Sequence, residues 1–88
     1  MKVGASKQFF RDLAKIKSAD LLDDAEFIYD FAQQCKSPEE IPGYKQMTGY
    51  PGYGRISLSE FRIGVKISNN TITFICLLHR SVVYGHFP

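Results

Sequence analysis

The 88-residue sequence has no tryptophan, two cysteines, two histidines and no long hydrophobic segment. Its longest uninterrupted apolar stretch runs from Phe74 to Leu78, whereas a membrane-spanning helix needs roughly 18 such residues. Cys35 and Cys76 form neither a CxxC motif nor part of a larger cysteine framework, so we expect no disulfide scaffold and no structural zinc site. No apolar segment follows the first lysine, and we therefore expect no secretory signal. These absences predict a cytoplasmic protein with two buried thiols and no membrane contact.

The remaining composition is typical of a small soluble domain. With 44% hydrophobic and 23% charged residues, the chain is neither disordered nor fibrous in character, and its length predicts one domain over residues 1–88. Residues 1–44 carry six Lys or Arg against eight Asp or Glu, a balance of −2, whereas residues 45–88 carry five against one, a balance of +4. The basic C-terminal half indicates an anionic partner such as a nucleic acid, and a solvated basic surface without a ligand is the alternative.

Two amphipathic helices are predicted in the N-terminal half. Ser6 is the N-cap candidate of the first, in which KQFFRDLAKIK places apolar side chains at i, i+4 and i+7. Ser18 is the N-cap candidate of the second, which runs to about Cys35 and carries carboxylates in its early turns. Only a short connection separates the two helices, so they are predicted to form an αα-hairpin. The segment SPEE at 37–40 predicts one further helical turn.

The hydrophobic period changes from 3.6 to 2 after the glycine-rich stretch TGYPGYG. Three strands follow, joined by tight turns at Ser59-Glu60 and Asn69-Asn70. In the last strand, alternation predicts that residues 72, 74, 76 and 78 face the core and that residues 75, 77 and 79 face the other side. With a short strand at Val3–Ala5, the prediction is an α+β fold of order β-α-α-β-β-β, in which a small antiparallel sheet packs against an N-terminal αα-hairpin.

Basic side chains are predicted to collect on the face of the sheet opposite the helices. Arginine binds phosphate through two parallel hydrogen bonds and tyrosine rings stack on bases, so such a set is typical of a polyanion site. A group of unrelated surface arginines is the alternative. The members of the predicted set are Arg55, Ser57, Arg62, Lys66, His79, Arg80 and Tyr84.

Other kinds of site find little support in the sequence. The glycines at 49, 52 and 54 lack the GK[ST] ending of a phosphate-binding P-loop. His79 and His86 have no carboxylate between them, so neither a metal nor another cofactor is predicted. Ser57 and Ser59 lack a GxSxG context, which leaves a serine nucleophile unsupported.

The segment GRISLSEFRIGVKISNNTITFICLLHRSVVYGHFP resembles the C-terminal half of the RelE/ParE superfamily of bacterial type II toxins. The family pattern has a basic yRIR strand, a G-x-YRI strand, an apolar strand and a closing hR-x-x-x-Y-x-x-F-P, and SKQFFRDLAKIK resembles the family's first helix. The resemblance covers nearly the whole chain and implies a RelE-like fold. It further implies a ribosome-dependent endoribonuclease that cleaves mRNA in the ribosomal A site, inhibits translation and is restrained by a cognate antitoxin.

Residue by residue, the resemblance implies catalytic roles for Arg55, for Arg62, and for Arg80 with Tyr84 of the closing motif. Ser57 departs from the pattern, because many members carry a second cation there. The implied reaction is metal-independent: the RNA 2′-OH attacks the adjacent phosphorus, cations bind the phosphate, and a base takes the proton.

The base and the RNA contacts are assigned as follows. Arginine stays protonated, so the base is Tyr84 or else His79, since histidine ordinarily titrates near neutral pH. The predicted RNA-binding residues are Lys45, Lys66 and Tyr53. For Tyr53, packing within the glycine-rich turn is the favoured alternative to stacking on a base.

Two other functions stay open on the sequence alone. A ParE-like toxin acts on DNA gyrase and not on RNA, but such proteins tend to lack the set of basic residues and tyrosine present here. A non-catalytic RNA- or protein-binding module would use the basic face only for docking, and the missing cation at Ser57 favours that alternative. Cleavage of message in a translating extract separates the nuclease from both.

Overall fold

The computed structural model describes residues 1–88 and confirms the predicted α+β class. Two helices pack against one face of a five-stranded sheet, and none of the helices has the length and apolar character needed to cross a bilayer. The elements are β1 (Lys2–Ala5), α1 (Lys7–Ala14), α2 (Ala19–Gln34), a 3-10 helix (Pro38–Glu40), β2 (Tyr44–Gln46), β3 (Tyr53–Leu58), β4 (Phe61–Ser68), β5 (Thr71–His79) and α3 (Val83–His86).

The sheet has the strand order β1-β5-β4-β3-β2. The predicted antiparallel meander β3-β4-β5 is confirmed. The predicted antiparallel arrangement holds for β2 to β5, but the sheet as a whole is mixed, because β1 pairs with β5 in parallel and Val3 lies beside Ile72. The sequence also did not predict β2, an edge strand in which Lys45 pairs with Arg55, because three mostly polar residues show no alternation.

Both predicted helix N-caps are confirmed. The Ser6 hydroxyl accepts the backbone N–H of Phe9 at 3.0 Å, and the Ser18 hydroxyl accepts that of Leu21 at 3.2 Å. Each serine therefore satisfies a donor that the first helical turn leaves free. At the 3-10 helix the carboxylate of Glu40 accepts two backbone N–H groups from the residues that precede the helix, and these hydrogen bonds lower the pKa of Glu40.

The core lies between the two long helices and one face of the sheet, and we call the opposite face the open face. Core residues alternate along β3 and β4, as predicted, because strand side chains point to opposite faces in turn. Both cysteines are free and buried, which confirms another prediction. The main core includes Ile56, Ile63, Val65, Ile72 and Phe74 of the sheet with Phe9, Ala25, Ile28 and Ala32 of the helices.

A β-bulge interrupts the pairing of β4 with β5. Two successive residues of β4 pair with Cys76 and Phe74, so Ile75 between them has no partner in the ladder. The extra residue reverses the alternation of the rest of β5. Leu77 joins the main core, whereas Cys76 and Leu78 lie with a second apolar cluster on the open face. The orientations predicted for residues 76 to 78 are therefore wrong.

Strand β5 continues beyond its pairing with β1, and two of its backbone groups in that part are hydrogen-bonded by α1 and its N-cap residue. The Ser6 hydroxyl donates to the carbonyl of Ile75 at 2.6 Å, and the Asp12 carboxylate accepts the backbone N–H of Leu77 at 2.9 Å. The other Asp12 oxygen accepts a hydrogen bond from the Gln8 amide at 2.7 Å. Asp12 is only 4% exposed, and these two donors compensate for its burial.

Removing the Asp12 carboxylate is expected to destabilise the fold. In Asp12→Ala the N–H of Leu77 is left buried without an acceptor, and such a group costs about 1–3 kcal/mol. The measurement is the free energy of unfolding from urea titration, with Asp30→Ala on the exposed surface of α2 as the control. Equal stability of the two variants would contradict the assigned role of Asp12.

Candidate functional site

The open face carries the basic strand residues that the sequence places there. Strand alternation puts Arg55 and Ser57 of β3 on this face, and Arg62 of β4 lies directly opposite Ser57. Residues 81–88, which we call the tail, pack across part of the same face. Arg55 lies opposite Gly64, whose missing side chain leaves room for the tail.

Arg55 and Tyr84 are brought together although they are far apart in the sequence. The guanidinium carbon of Arg55 lies 5.3 Å from the centroid of the Tyr84 ring, which is a cation–π distance. Tyr84 is 58% exposed and Arg55 is partly buried. The pair therefore presents a solvent-accessible ring with its hydroxyl and a positive charge side by side.

Arg62 and Arg80 both bind residues of the turn between β3 and β4. One Arg62 nitrogen donates to the carbonyls of Ser59 and Phe61 at 2.9 and 2.8 Å. The Arg80 guanidinium forms a 2.9 Å ion pair with the Glu60 carboxylate. The backbone N–H of Arg80 also donates to the backbone carbonyl of Glu60. Both side chains of this ion pair are exposed, so it contributes little stability and leaves Arg80 free to exchange Glu60 for another anion.

The predicted catalytic cations thus fall into two groups, Arg55 with Tyr84 on the open face and Arg62 with Arg80 at the turn between β3 and β4. Arg62 pairs with Ser57, which is two residues along β3 from Arg55, so the two arginine positions lie about 7 Å apart along the strand. The sequence did not predict Glu60 as the partner of Arg80. The contact joins the turn between β3 and β4 to the end of β5, and sequence patterns do not show that these two segments are close in space.

His79 joins neither group. Because the bulge reverses the alternation of β5, His79 lies opposite Phe61 on the helix side of the sheet, and the two rings pack edge to face with centroids 5.6 Å apart. Its Nδ1 accepts the backbone N–H of Ser81 at 3.1 Å and lies 2.8 Å from the hydroxyl of that serine. The predicted position of His79 on the same face as the arginines is wrong, since strict alternation does not hold beyond Ile75.

The predicted RNA-binding residues lie along the same basic surface. Lys45 lies opposite Arg55, and Lys66 lies opposite Tyr53 with its Nζ 5.4 Å from the ring centroid. Both lysines are exposed. The Tyr53 ring also packs edge to face against Phe87, with centroids 5.7 Å apart. Tyr53 therefore packs within the protein, whereas the two lysines extend the positive surface on both sides of β3.

A second apolar cluster anchors the tail, and the sequence did not predict it. Val83 and Phe87 are 1% and 5% exposed and pack with Met47 and Cys76 on the open face. Burial raises the pKa of the Cys76 thiol to about 11. The signal available in the sequence is Gly64, because a glycine inside an apolar strand often marks the close approach of another group.

The arrangement suits chemistry on a phosphate anion. Guanidinium and ammonium groups supply positive charge, and Tyr84 supplies a hydroxyl that can move a proton. No three His, Cys, Asp or Glu side chains lie together as a set of metal ligands.

No family model matches the chain, but individual proteins do. The chain is 32% identical to Toxin RelE3 of Methanocaldococcus jannaschii, over the full length of both proteins. Its fold is similar to the RelB–RelE antitoxin–toxin complex from Methanococcus jannaschii, with a TM-score of 0.83, 28% identity and coverage of 97% of this chain and 99% of the matched chain. The archaeal RelE–RelB complex from Pyrococcus horikoshii OT3 shows the same fold at 16% identity, with a TM-score of 0.75 and coverage of 93% and 97%. The protein therefore belongs to the RelE family of type II toxin–antitoxin toxins.

Proposed function

We propose that residues 1–88 form a toxin domain that cleaves mRNA in the ribosomal A site and so inhibits translation in the cytoplasm. The observation that best supports this proposal is the cation–π contact of Arg55 with the exposed Tyr84, on a face that also carries Arg62, with Arg80 beside the turn between β3 and β4. A proton-accepting group beside cations is what cleavage of a phosphate ester requires. Tyr84 lies exposed on the protein surface, where it cannot by itself fix the orientation of an RNA strand. The ribosome is therefore proposed to hold the message in the reactive orientation.

The proposed reaction uses the 2′-OH of the RNA as the nucleophile and no metal ion. Tyr84 reacts as its phenolate, beside the Arg55 guanidinium, and takes the proton as the 2′-oxygen attacks the adjacent phosphorus. Arg62 and Arg80 hold the phosphate oxygens, and Arg55 stabilises the charge that develops on the phosphorane and steers the departing 5′-oxygen, which takes a proton from water. The products are a 2′,3′-cyclic phosphate and a 5′-hydroxyl end.

The hydrogen bonds of His79 favour Tyr84 as the base. Because Nδ1 of His79 accepts the N–H of Ser81, the lone pair of the neutral ring is already engaged within the protein, and Nε2 carries the ring proton. The imidazole also packs against Phe61, on the helix side of the sheet. Tyr84 lies beside Arg55 on the open face.

The lysines are proposed to bind the message on both sides of the reacting phosphate. Lys45 and Lys66 are exposed and flank β3, so each is placed to contact the RNA backbone. Tyr53 is proposed to contribute to RNA binding through Lys66, whose Nζ lies 5.4 Å from the centroid of the Tyr53 ring.

A cognate antitoxin is proposed to restrain the activity. The relatives from Methanococcus jannaschii and Pyrococcus horikoshii are complexes of RelE with RelB. An antitoxin segment that lays acidic side chains over the open face would neutralise Arg55, Arg62 and Lys45. Co-expression with the neighbouring reading frame is expected to give a stable complex that no longer cleaves message. A protein that is harmless and purifies alone at high yield would contradict this part of the proposal.

The test of the proposed activity is incubation of the purified chain with one defined message, with and without translating ribosomes. Cleavage is expected only when ribosomes hold the message, and the downstream fragments are expected to carry 5′-hydroxyl ends. A message with 2′-deoxyribose at the mapped cleavage position is expected to stay intact, because it lacks the nucleophile. Cutting of that message, or of naked RNA in a reaction that EDTA abolishes, would contradict the proposed chemistry.

The same preparation distinguishes the other functions. Inhibition of DNA gyrase supercoiling without cleavage of message would identify a ParE-like activity. Binding of RNA or ribosomes with neither effect would identify a docking module, and the pairing of Arg80 with Glu60 is the observation that favours it.

Ser57 is a position where a cation can be added to the site. Its side chain is exposed on the open face, opposite Arg62 and two residues from Arg55. Ser57→Arg is expected to raise the cleavage rate, and repulsion from Arg62 is expected to lower stability by no more than about 1 kcal/mol. The measurement is single-turnover cleavage with urea unfolding, and Ser68→Arg at the exposed end of β4 is the control. An unchanged rate would show either that Ser57 does not occupy the position of the second cation or that another cation already fills the role.

A further inference from the structure

We infer that Gly64 and Phe87 form a seat that positions Tyr84 over Arg55. The inference rests on the proposed function and adds two positioning residues to it. Phe87 is buried and Gly64 has no side chain, so neither can contact the RNA directly. Both are therefore inferred to affect the reaction only through the position of Tyr84.

The position of Tyr84 depends on the residues that flank it. Tyr84 is 58% exposed, and α3, which carries it, is only four residues long and too short to be stable by itself. Val83 and Phe87 are 1% and 5% exposed, and the backbone N–H of Phe87 donates to the carbonyl of Val83 at 2.8 Å. The docking of Val83 and Phe87 therefore determines where the Tyr84 ring lies.

Phe87 docks where β4 has no side chain. A Cβ atom at Gly64 would lie 2.9 Å from two ring carbons of Phe87 and 2.7 Å from the sulfur of Cys76, well inside the optimal separation of non-bonded atoms. The φ of Gly64 is not positive, so residues other than glycine can adopt its backbone conformation. The lack of space for a side chain is therefore the reason that glycine is needed here. Tyr53 packs edge to face against the same Phe87 ring and helps to hold it.

Strand register couples this seat to the proposed catalytic cation. Gly64 lies directly opposite Arg55 in the ladder of β3 and β4, so Phe87 and Arg55 are neighbours on the open face. Tyr84 lies three residues before Phe87, about one turn along the chain, with its ring at the guanidinium. A side chain at position 64 therefore displaces Phe87, and with it Tyr84, while both members of the Arg55–Tyr84 pair stay unchanged.

Gly64→Ala and Phe87→Ala test the seat, and the chain offers two matched controls. Gly4→Ala adds the same methyl group to β1, where its Cβ meets only the hydroxyl of Thr73, at 3.9 Å. Gly85→Ala adds it to α3, where no atom other than those of the adjacent residues and the helix's own backbone lies within 4 Å. Phe87→Leu keeps an apolar anchor and is expected to restore much of what Phe87→Ala loses.

Two readouts report the position of the tail without any activity. Nuclear Overhauser contacts between the Arg55 side chain and the Tyr84 ring are expected in the wild type and both controls and are expected to disappear in the two seat variants. Alkylation of Cys76 by iodoacetamide, mapped by mass spectrometry, is expected to be slow in the wild type because the thiol is buried under the tail with a raised pKa. It is expected to become faster in Phe87→Ala, whereas Cys35 in the main core serves as the internal reference.

The cleavage assay tests whether this positioning matters for the reaction. In the seat variants kcat is expected to fall on the order of 10- to 100-fold with little change in KM, because the arginines and lysines that bind RNA are untouched. In combination with Tyr84→Phe, the same changes are expected to add no further loss.

The outcomes separate the seat from the proposed function. Retained contacts between Arg55 and Tyr84 in both seat variants, or a further loss of rate in the double variants with Tyr84→Phe, would overturn the inference. Lost contacts with undiminished cleavage would support the seat but contradict the proposed role of Tyr84 in the reaction.

Discussion

Arg55→Ala is expected to slow the cleavage of ribosome-bound message by about 10²- to 10³-fold, the range found when one donor to a developing negative charge is removed. Arg55 is proposed to act on the phosphorane directly, and its guanidinium also lies 5.3 Å from the centroid of the Tyr84 ring. Its removal therefore takes away a charge and a contact of the proposed base together. The measurement is the single-turnover rate constant at saturating ribosomes, with urea unfolding to show that the fold is retained.

Arg80→Ala is the companion variant and is expected to abolish toxicity while folding and antitoxin binding stay largely intact. In the free protein the Arg80 guanidinium is paired with the exposed Glu60, so its removal leaves no buried group without a partner. Lys17→Ala, at an exposed position between the two long helices, is the control and is expected to cleave at the wild-type rate. Full toxicity of both Arg62→Ala and Arg80→Ala would show that this surface is not a nuclease site.

Tyr84→Phe is expected to lower the cleavage rate by about 10²- to 10⁴-fold, the range of general acid–base catalysis. The change removes the hydroxyl and keeps the ring, so the stacking with Arg55 and the buried anchors Val83 and Phe87 are preserved. His79→Ala is expected to stay within a few-fold of the wild type, because His79 lies on the helix side of the sheet against Phe61.

The two variants together decide which residue is the base. An active Tyr84→Phe would mean that the ring only stacks, either on Arg55 or on a base of the RNA. A large loss in His79→Ala with Tyr84→Phe unharmed would transfer the role to the histidine. Rates are compared at equal occupancy of the ribosome, so that a weakened binding step is not mistaken for a chemical one.

The parts of the fold that depend on near neighbours in the chain were predictable. N-capping by Ser6 and Ser18 and the alternation along β3 and β4 are properties of a few consecutive residues, and the structure has them all. β2 and the parallel partner of β1 depend on contacts between distant segments, which periodicity does not report. The bulge at Ile75 is a departure from periodicity itself, and it moved the faces of the residues that follow.

The same physical distinction applies to the candidate site. Arg55 and Arg62 were correctly placed on the open face, because β3 and the first half of β4 alternate regularly. His79 was misplaced, because it follows the bulge. The family resemblance singled out Arg55 and Tyr84 but did not indicate that they stack, since that contact depends on how the tail docks.

The parallel pairing of β1 with β5 has a consequence for the order in which the protein folds. Contacts within the β3-β4-β5 meander join residues close in the chain, whereas β1 joins residues 2–5 to residues 71–74. Closing so long a loop is entropically unfavourable, so the pairing of β1 is expected to form after the meander. Val3→Ala is then expected to speed unfolding in stopped-flow experiments with little change in the folding rate, and a slower folding rate would place β1 in the folding nucleus instead. The edge formed by β1 is thus expected to be the last part of the sheet to close and the first to open.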